Sequence, residues 1–254
     1  MKVVVIGGSG LIGSRLVKLL AQAGHEVAVA SPSRGVNAVT GEGLAAALAG
    51  ADVVVDSANA PSFEDAPVLD FFTRSSRNLA AAAKTAGVKH LVALSVVGTE
   101  RLQQGGYFRA KLVQEQTLAA AGLPCTILRA TQFHEFVGAI VAGGMKDGAV
   151  HLPPALLQPV AADDMAQTLA DVVLAAPAQG MIEHGMIELG GPEAAPMADF
   201  AQSYFAAQGK AQRIVIDPAA QYFGIDLAER SLVPETDARR GAISFAAWLA
   251  RQPK

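Results

Sequence analysis

The chain has 254 residues, 51% hydrophobic and 17% charged, with a formal net charge of −3. That composition can fill a substantial core and excludes a disordered chain, and the acidic balance without any basic run excludes a nucleic-acid footprint. One cysteine, Cys125, excludes an internal disulfide framework and fits a reducing compartment.

The first predicted element is a strand at Lys2–Ile6, a β-branched run that breaks at Gly7. It is too short for a signal-peptide core or a bilayer span, and later alanine-rich segments are interrupted by charges. The expectation is therefore a soluble, cytoplasmic protein with neither a membrane nor a nucleic-acid partner. Leu11–Ala23 predicts a helix, Glu26–Ala30 a strand, Val36–Thr40 a short third strand and Gly43–Ala49 a helix. Asp52–Asp56 predicts a strand, Glu64–Ala86 a long helix, Lys89–Ser95 a strand, Tyr107–Ala121 a helix and Cys125–Ala130 a strand. Continuous Val, Ile and Leu strands separated by helices indicate an α/β, doubly wound parallel sheet covered on both faces. Beyond Phe133 the rhythm loosens. A helix near Glu135–Met145 precedes Val150–Val160, whose three prolines argue for a loop rather than a long strand. Then come a helix at Asp163–Ala175, a strand at Met181–Leu189, a helix at Met197–Gln208, a strand at Arg213–Asp217 and a final helix at Ile243–Arg251.

The stretch G7-G-S-G-L-I-G13 sits at the first strand–helix turn. Glycines there let the backbone approach a pyrophosphate, and the helix N-terminus offers free N–H groups to it. Gly7 serves the tight turn, Gly10 the close approach and Gly13 the packing of helix on strand; Ser9, Leu11 and Ile12 complete the cradle. A ligand-free tight turn is the alternative, and context favours the dinucleotide. The chain is then a single domain over 1–254, with a dinucleotide-binding core to about residue 132 and a small C-terminal α/β lobe over 133–254 on the substrate side.

At the end of the second strand, where NAD-binding folds place a carboxylate for the ribose hydroxyls, the chain reads A30-S-P-S-R34. Ser31, Ser33 and Arg34 suit a 2′-phosphate and point to NADP (NADPH), the alternative being that Arg34 is a solvated loop arginine. Asn59, after DVVVDSA, lies at another strand end and is a candidate cofactor contact or an ordinary turn residue.

Y107-F-R-A-K111 puts a tyrosine and a lysine one helical turn apart, and Ser95 ends the preceding strand at the edge where α/β sheets bind ligands. An ammonium near Tyr107 would lower its pKa toward the working range, and Ser95 could hydrogen-bond the carbonyl that Tyr107 protonates. Together, GGSGLIG, LSVVG and YFRAK resemble the short-chain dehydrogenase/reductase superfamily, most closely its atypical, NmrA-like NAD(P)-binding branch. The likeness runs over about 1–175, including LRATQFHEF and PVAADDMA. It implies a Rossmann fold and hydride transfer from NADPH. It also implies a catalytic set in which Ser95 orients the carbonyl, Tyr107 donates the proton, and Lys111 holds the nicotinamide ribose and depresses the tyrosine pKa. One departure is N37-A-V-T-G-E-G43, which lacks the Asp that many relatives place beside the adenine. Some members of the branch bind the cofactor without turnover, as sensors or assembly factors.

The leading expectation is an NADPH-dependent oxidoreductase for a small apolar carbonyl or quinone-like compound; the rival is a non-catalytic NADP(H)-binding sensor or scaffold. The sequence names no substrate and no oligomeric state. His25, His90, His134, His151 and His184 lack metal-ligand spacing, so no metal site is expected. His134 reads as a helix-start polar residue ahead of a catalyst, Cys125 as a core thiol, and Asp163 and Asp164 as helix N-terminal charges. Phe133, Phe136, Tyr222 and Phe223, with the LPPALL loop, form either a substrate lid or core.

Overall fold

The structure, a computed structural model, describes residues 1–175, 185–235 and 237–252. Its elements begin with β1 (Lys2–Ile6), α1 (Leu11–Gln22), β2 (Glu26–Ala30), α2 (Leu44–Leu48), β3 (Val53–Asp56) and α3 (Asp65–Ala86). There follow β4 (His90–Val96), α4 (Gly106–Ala119), β5 (Cys125–Ala130), α5 (Val137–Gly143), β6 (Met145–Lys146), β7 (Ala149–Leu152) and β8 (Leu156–Leu157). The last are α6 (Ala162–Ala175), β9 (Gly185–Gly190), β10 (Ala195–Pro196), α7 (Met197–Ala207), β11 (Ile214–Ile216), β12 (Arg239–Arg240) and α8 (Phe245–Leu249).

The main sheet has seven strands in the order β12-β9-β5-β4-β3-β1-β2, and β1 pairs in parallel with both β2 and β3. This is the Rossmann-like α/β architecture expected from the alternating pattern. β1 lies inside the sheet, and its valines are buried on both faces, which is why they read as an unbroken apolar run. Helix α1 instead buries one stripe, Ile12, Leu16 and Leu20. The chain moves from β1 outward to β2, then returns past β1 to place β3 on its other side. Strand order thus reverses between β1 and β3, and ligands of open α/β sheets bind outside the strand ends at such a point.

The chain forms two compact units, 1–95 with 106–129 and 165–187, and 96–105 with 130–164 and 188–254. In the first, Val4, Ile6, Val54, Leu79, Leu91, Leu118 and Ile127 are among the residues of a continuous core between sheet and helices. In the second, β11, β7 and β6 form a three-stranded sheet, and β10 pairs with β8.

Two local expectations are corrected. Val36–Thr40 is not a strand: Asn37 Oδ1 accepts from the amides of Val39 and Thr40, and the segment closes on itself through an Asn37–Glu42 bridge. An asparagine side chain that satisfies local amides competes with ladder pairing. Within Val150–Val160 two short strands, β7 and β8, stand on either side of Pro153 and Pro154, where the sequence suggested loop. His184 and the first four residues of the strand expected at Met181–Leu189 lie outside the described residues.

Candidate functional site

Gly7 leaves β1 at φ +75°, and a Cβ on it would come within 2.8 Å of the Ala58 backbone in the loop after β3. The two loops at the strand-order reversal therefore touch backbone to backbone. A Cβ on Gly13 would run into the Gly7 carbonyl and lie 2.7 Å from Gly8 Cα, so α1 seats on the turn only with glycine there. Gly8 carries the same demand, since a Cβ would meet Val5 O at 2.9 Å; the spacing of three that picked out its neighbours passed over it. At Gly10 only Gly7 O lies nearby, at 3.2 Å, and the outer side of the turn is open. Ser9, Gly10 and Leu11 are exposed there, whereas Ile12 points into the core. Helix α1 starts without a side-chain cap and without an acidic residue in its first turn. The amides of Leu11, Ile12 and Gly13 precede the first intrahelical bond, so they remain as donors for an anion. These features fit the pyrophosphate of a dinucleotide.

At the end of β2, Ser31 is buried with its hydroxyl 3.0 Å from that of Ser33. Arg34 ends the short 3-10 turn Pro32–Arg34 and is exposed; its amide donates to Ser31 O, while its guanidinium makes no hydrogen bond or ion pair among the described residues. No carboxylate occupies 30–36. Beside this, Asn78 of α3 donates to the carbonyls of Ala38 and Val39, holding the 36–43 loop, a role that a partner some forty residues away leaves without a local sequence signal. Asn59 is exposed, and its Oδ1 accepts from the Ala60 amide, which makes it at least a turn residue.

Tyr107 and Lys111 lie one turn apart on α4 as expected, but their functional atoms are engaged differently. Lys111 is 3% exposed; its Nζ donates to Leu94 O at 2.7 Å and sits 4.5 Å from the centre of the Phe72 ring. Burial lowers its pKa to about 8, against the opposing fields of Asp56 and Glu115. Ser95 donates to Glu115 Oε1 at 2.5 Å, and Glu115 accepts two bonds from the Arg129 guanidinium, at 2.9 and 2.6 Å. Asp56 accepts from Gln114 Nε2 at 2.7 Å and from the Ala58 amide at 3.2 Å; burial raises its pKa, with Lys111 pulling the other way. Helix α4 thus buries a polar stripe of Lys111, Gln114 and Glu115 against the sheet.

The half-buried Tyr107 ring lies among Phe63, Phe72 and Phe108, with centroids 5.4, 6.2 and 6.0 Å away. Its hydroxyl makes no hydrogen bond within the described residues. Desolvation pushes its pKa up, opposite to the lowering expected from Lys111, and the phenol keeps its proton at neutral pH. The structure brings Ser95 and Lys111 into one buried layer and does not link either to the Tyr107 hydroxyl.

The remaining candidates make packing or hydrogen-bond contacts within the protein. His134 is buried, bonds Ile243 O through Nε2 at 3.0 Å and packs on Phe245 and Trp248. Cys125 lies in the core, and burial pushes its thiol up to about 12. Asp163 and Asp164 occupy the first turn of α6, where Asp164 accepts from the Ile243 amide. Phe136 and Tyr222 each pack on the exposed Phe223. Among the described residues no group of three His, Cys, Asp or Glu could hold a metal, and no helix is long and apolar enough to cross a membrane.

Three comparisons bear on this site. A family model described as NAD(P)H-binding matches residues 7–176. The photosystem II assembly factor Ycf39 of Cyanophora paradoxa is 26% identical over 149 residues, 53% of this chain. The match spans 46% of that relative, under half its length. MoeE5 in complex with UDP-glucuronic acid and NAD superposes with a TM-score of 0.73 at 15% identity, covering 99% of this chain and 97% of the other. The dTDP-4-dehydrorhamnose reductase of Yersinia enterocolitica gives 0.71 at 16%, covering 98% of each. The UDP-glucuronic acid 4-epimerase of Bacillus cereus gives 0.71 at 17%, covering 98% and 97%. At such identities the likeness is one of fold.

Proposed function

This chain belongs to the NAD(P)H-binding family, and from that premise we propose an NADPH-dependent reductase acting on a small apolar carbonyl or quinone-like compound. The observation that carries the cofactor choice is the exposed Arg34 guanidinium, without a partner among the described residues, beside the paired hydroxyls of Ser31 and Ser33, with no carboxylate at 30–36. Gly7, Gly8, Gly10 and Gly13 shape the turn, and the amides of Leu11, Ile12 and Gly13 receive the pyrophosphate. A reduced nicotinamide held by these residues would supply the hydride. The acceptor gains that hydride and a proton, becoming an alcohol or hydroquinone. Tyr107 holds the proton at its hydroxyl, kept on by desolvation. In this reading Ser95 and Lys111 position: Lys111 ties α4 to β4 through Leu94, and Ser95 anchors the strand end to Glu115.

A 2′-phosphate at Arg34 gains a charge-assisted hydrogen bond of about 1.5–3 kcal/mol, roughly ten- to a hundredfold in affinity. Titration with NADPH and NADH is expected to show NADPH tighter by about that factor, the gap closing in Arg34→Ala. Equal affinities in the unmodified protein would assign Arg34 to solvent.

A second reading is a non-catalytic NADP(H) sensor or scaffold, a role in keeping with a relative named an assembly factor. The observation in its favour is that the Ser95 hydroxyl and Lys111 ammonium are both committed within the protein. Tight cofactor binding without NADPH oxidation across quinones, aldehydes and ketones, with partner affinities that differ between NADP and NADPH, would mark it.

A further inference from the structure

Two large apolar side chains are exposed beyond the strands where the order reverses: Leu11, the first residue of α1, and, more fully, Phe63 in the loop after β3. Phe63 is 58% exposed. The Ser62 hydroxyl accepts from the Glu64 amide on one side, and α3 begins at Asp65 on the other. Its inner neighbour is Tyr107, ring centres 5.4 Å apart and planes tilted by 54°. Behind Tyr107 the aromatic series continues into the protein through Phe72 and Phe71, where Lys111 covers the Phe72 ring. The inner rings are accounted for by packing. The outer ring is exposed in the loop after β3, beside the Tyr107 phenol, whose hydroxyl has no hydrogen-bond partner among the described residues.

We propose that Phe63 is a specificity-determining residue, a platform on which a planar conjugated acceptor stacks with its oxygen toward the Tyr107 hydroxyl. This rests on the reductase reading and narrows it, from a carbonyl or quinone-like compound to a flat ring such as a quinone. Aromatic pairs prefer offset or tilted contact over a rigid sandwich, so a phenylalanine with one free face accepts rings of varied substitution. An aliphatic aldehyde gains little from that face.

The experiment has two arms. In steady-state assays with NADPH, Phe63→Ala is expected to lower kcat/KM for menadione relative to hexanal by about two- to tenfold, mainly through KM. Phe63→Tyr should restore the ratio, and NADPH titration checks that each variant is folded. Losses equal for the two acceptors overturn the proposal. The second arm needs no turnover. Phe63→Trp adds an indole to a protein whose own single tryptophan is Trp248, and the NADP-loaded variant is titrated with menadione against the unmodified protein. Saturable quenching of the added indole supports stacking; quenching that stays linear in menadione overturns it. If the unmodified protein reduces no acceptor, the reductase reading fails and the quenching arm alone decides whether Phe63 binds a ring.

Discussion

Replacing Tyr107 with phenylalanine is expected to cut turnover of a carbonyl acceptor by about 10²–10⁴-fold, the usual scale for a lost general acid. NADPH affinity should change little, because the ring stays among Phe63, Phe72 and Phe108 and only the hydroxyl is lost. Burial raises the pKa of this phenol, so its proton is on throughout the neutral range. The rate profile should therefore lack a tyrosine limb between about pH 6 and 9. An ionisation at about 8 belongs to Lys111, charged below that pH and neutral above it. Stopped-flow oxidation of NADPH over this range checks both statements. A quinone acceptor should show the smaller Tyr107→Phe effect, since its reduction needs less help from an acid. Undiminished turnover of an aldehyde or ketone by the variant would remove Tyr107 from the chemistry.

The largest effect on stability is expected at Arg129. Its guanidinium and the Glu115 carboxylate are both within 5% of full burial and joined by two hydrogen bonds. Arg129→Met leaves a buried carboxylate with Ser95 as its remaining described donor, and removing one member of such a pair costs about 3–5 kcal/mol. Replacing both, as Arg129→Met with Glu115→Leu, removes the uncompensated charge and should recover most of that loss. Urea unfolding of the unmodified protein, the single and the double variant measures the difference. A single-variant loss under about 1 kcal/mol would contradict the pairing.

The glycine turn and the strand–helix alternation were legible because both are largely local: Gly7 takes a positive φ, Gly10 and Gly13 answer to backbone within the same turn, and β1 to its own valines, whereas the contact of Gly7 with the Ala58 backbone is long-range. The buried layer beneath the site was not. Arg129 in the strand CTILRA and Asp56 in VVVD are charges in apolar strands, a signal that something pairs with them. Their partners Glu115 and Gln114 come from α4, at separations of 14 and 58 residues, which no periodicity reports. The same layer redirects the Tyr-Lys pair. Spacing puts Tyr107 and Lys111 on one face, yet the carbonyl of Leu94 and the field of Asp56 draw the ammonium inward, away from the phenol. Val36–Thr40 misled because β-branched residues suggest a strand, while the Asn37 side chain closes a turn there.

A reductase built on this nucleotide-binding fold is expected to turn over NADPH. The most direct test follows acceptor-dependent oxidation of NADPH and of NADH at matched concentrations, with menadione and with an aldehyde, in the unmodified protein and in Arg34→Ala. Sustained oxidation is expected, with kcat/KM higher for NADPH by roughly ten- to a hundredfold and the preference shrinking in the variant. Binding of both nucleotides without oxidation of either, or equal use of the two, would contradict it.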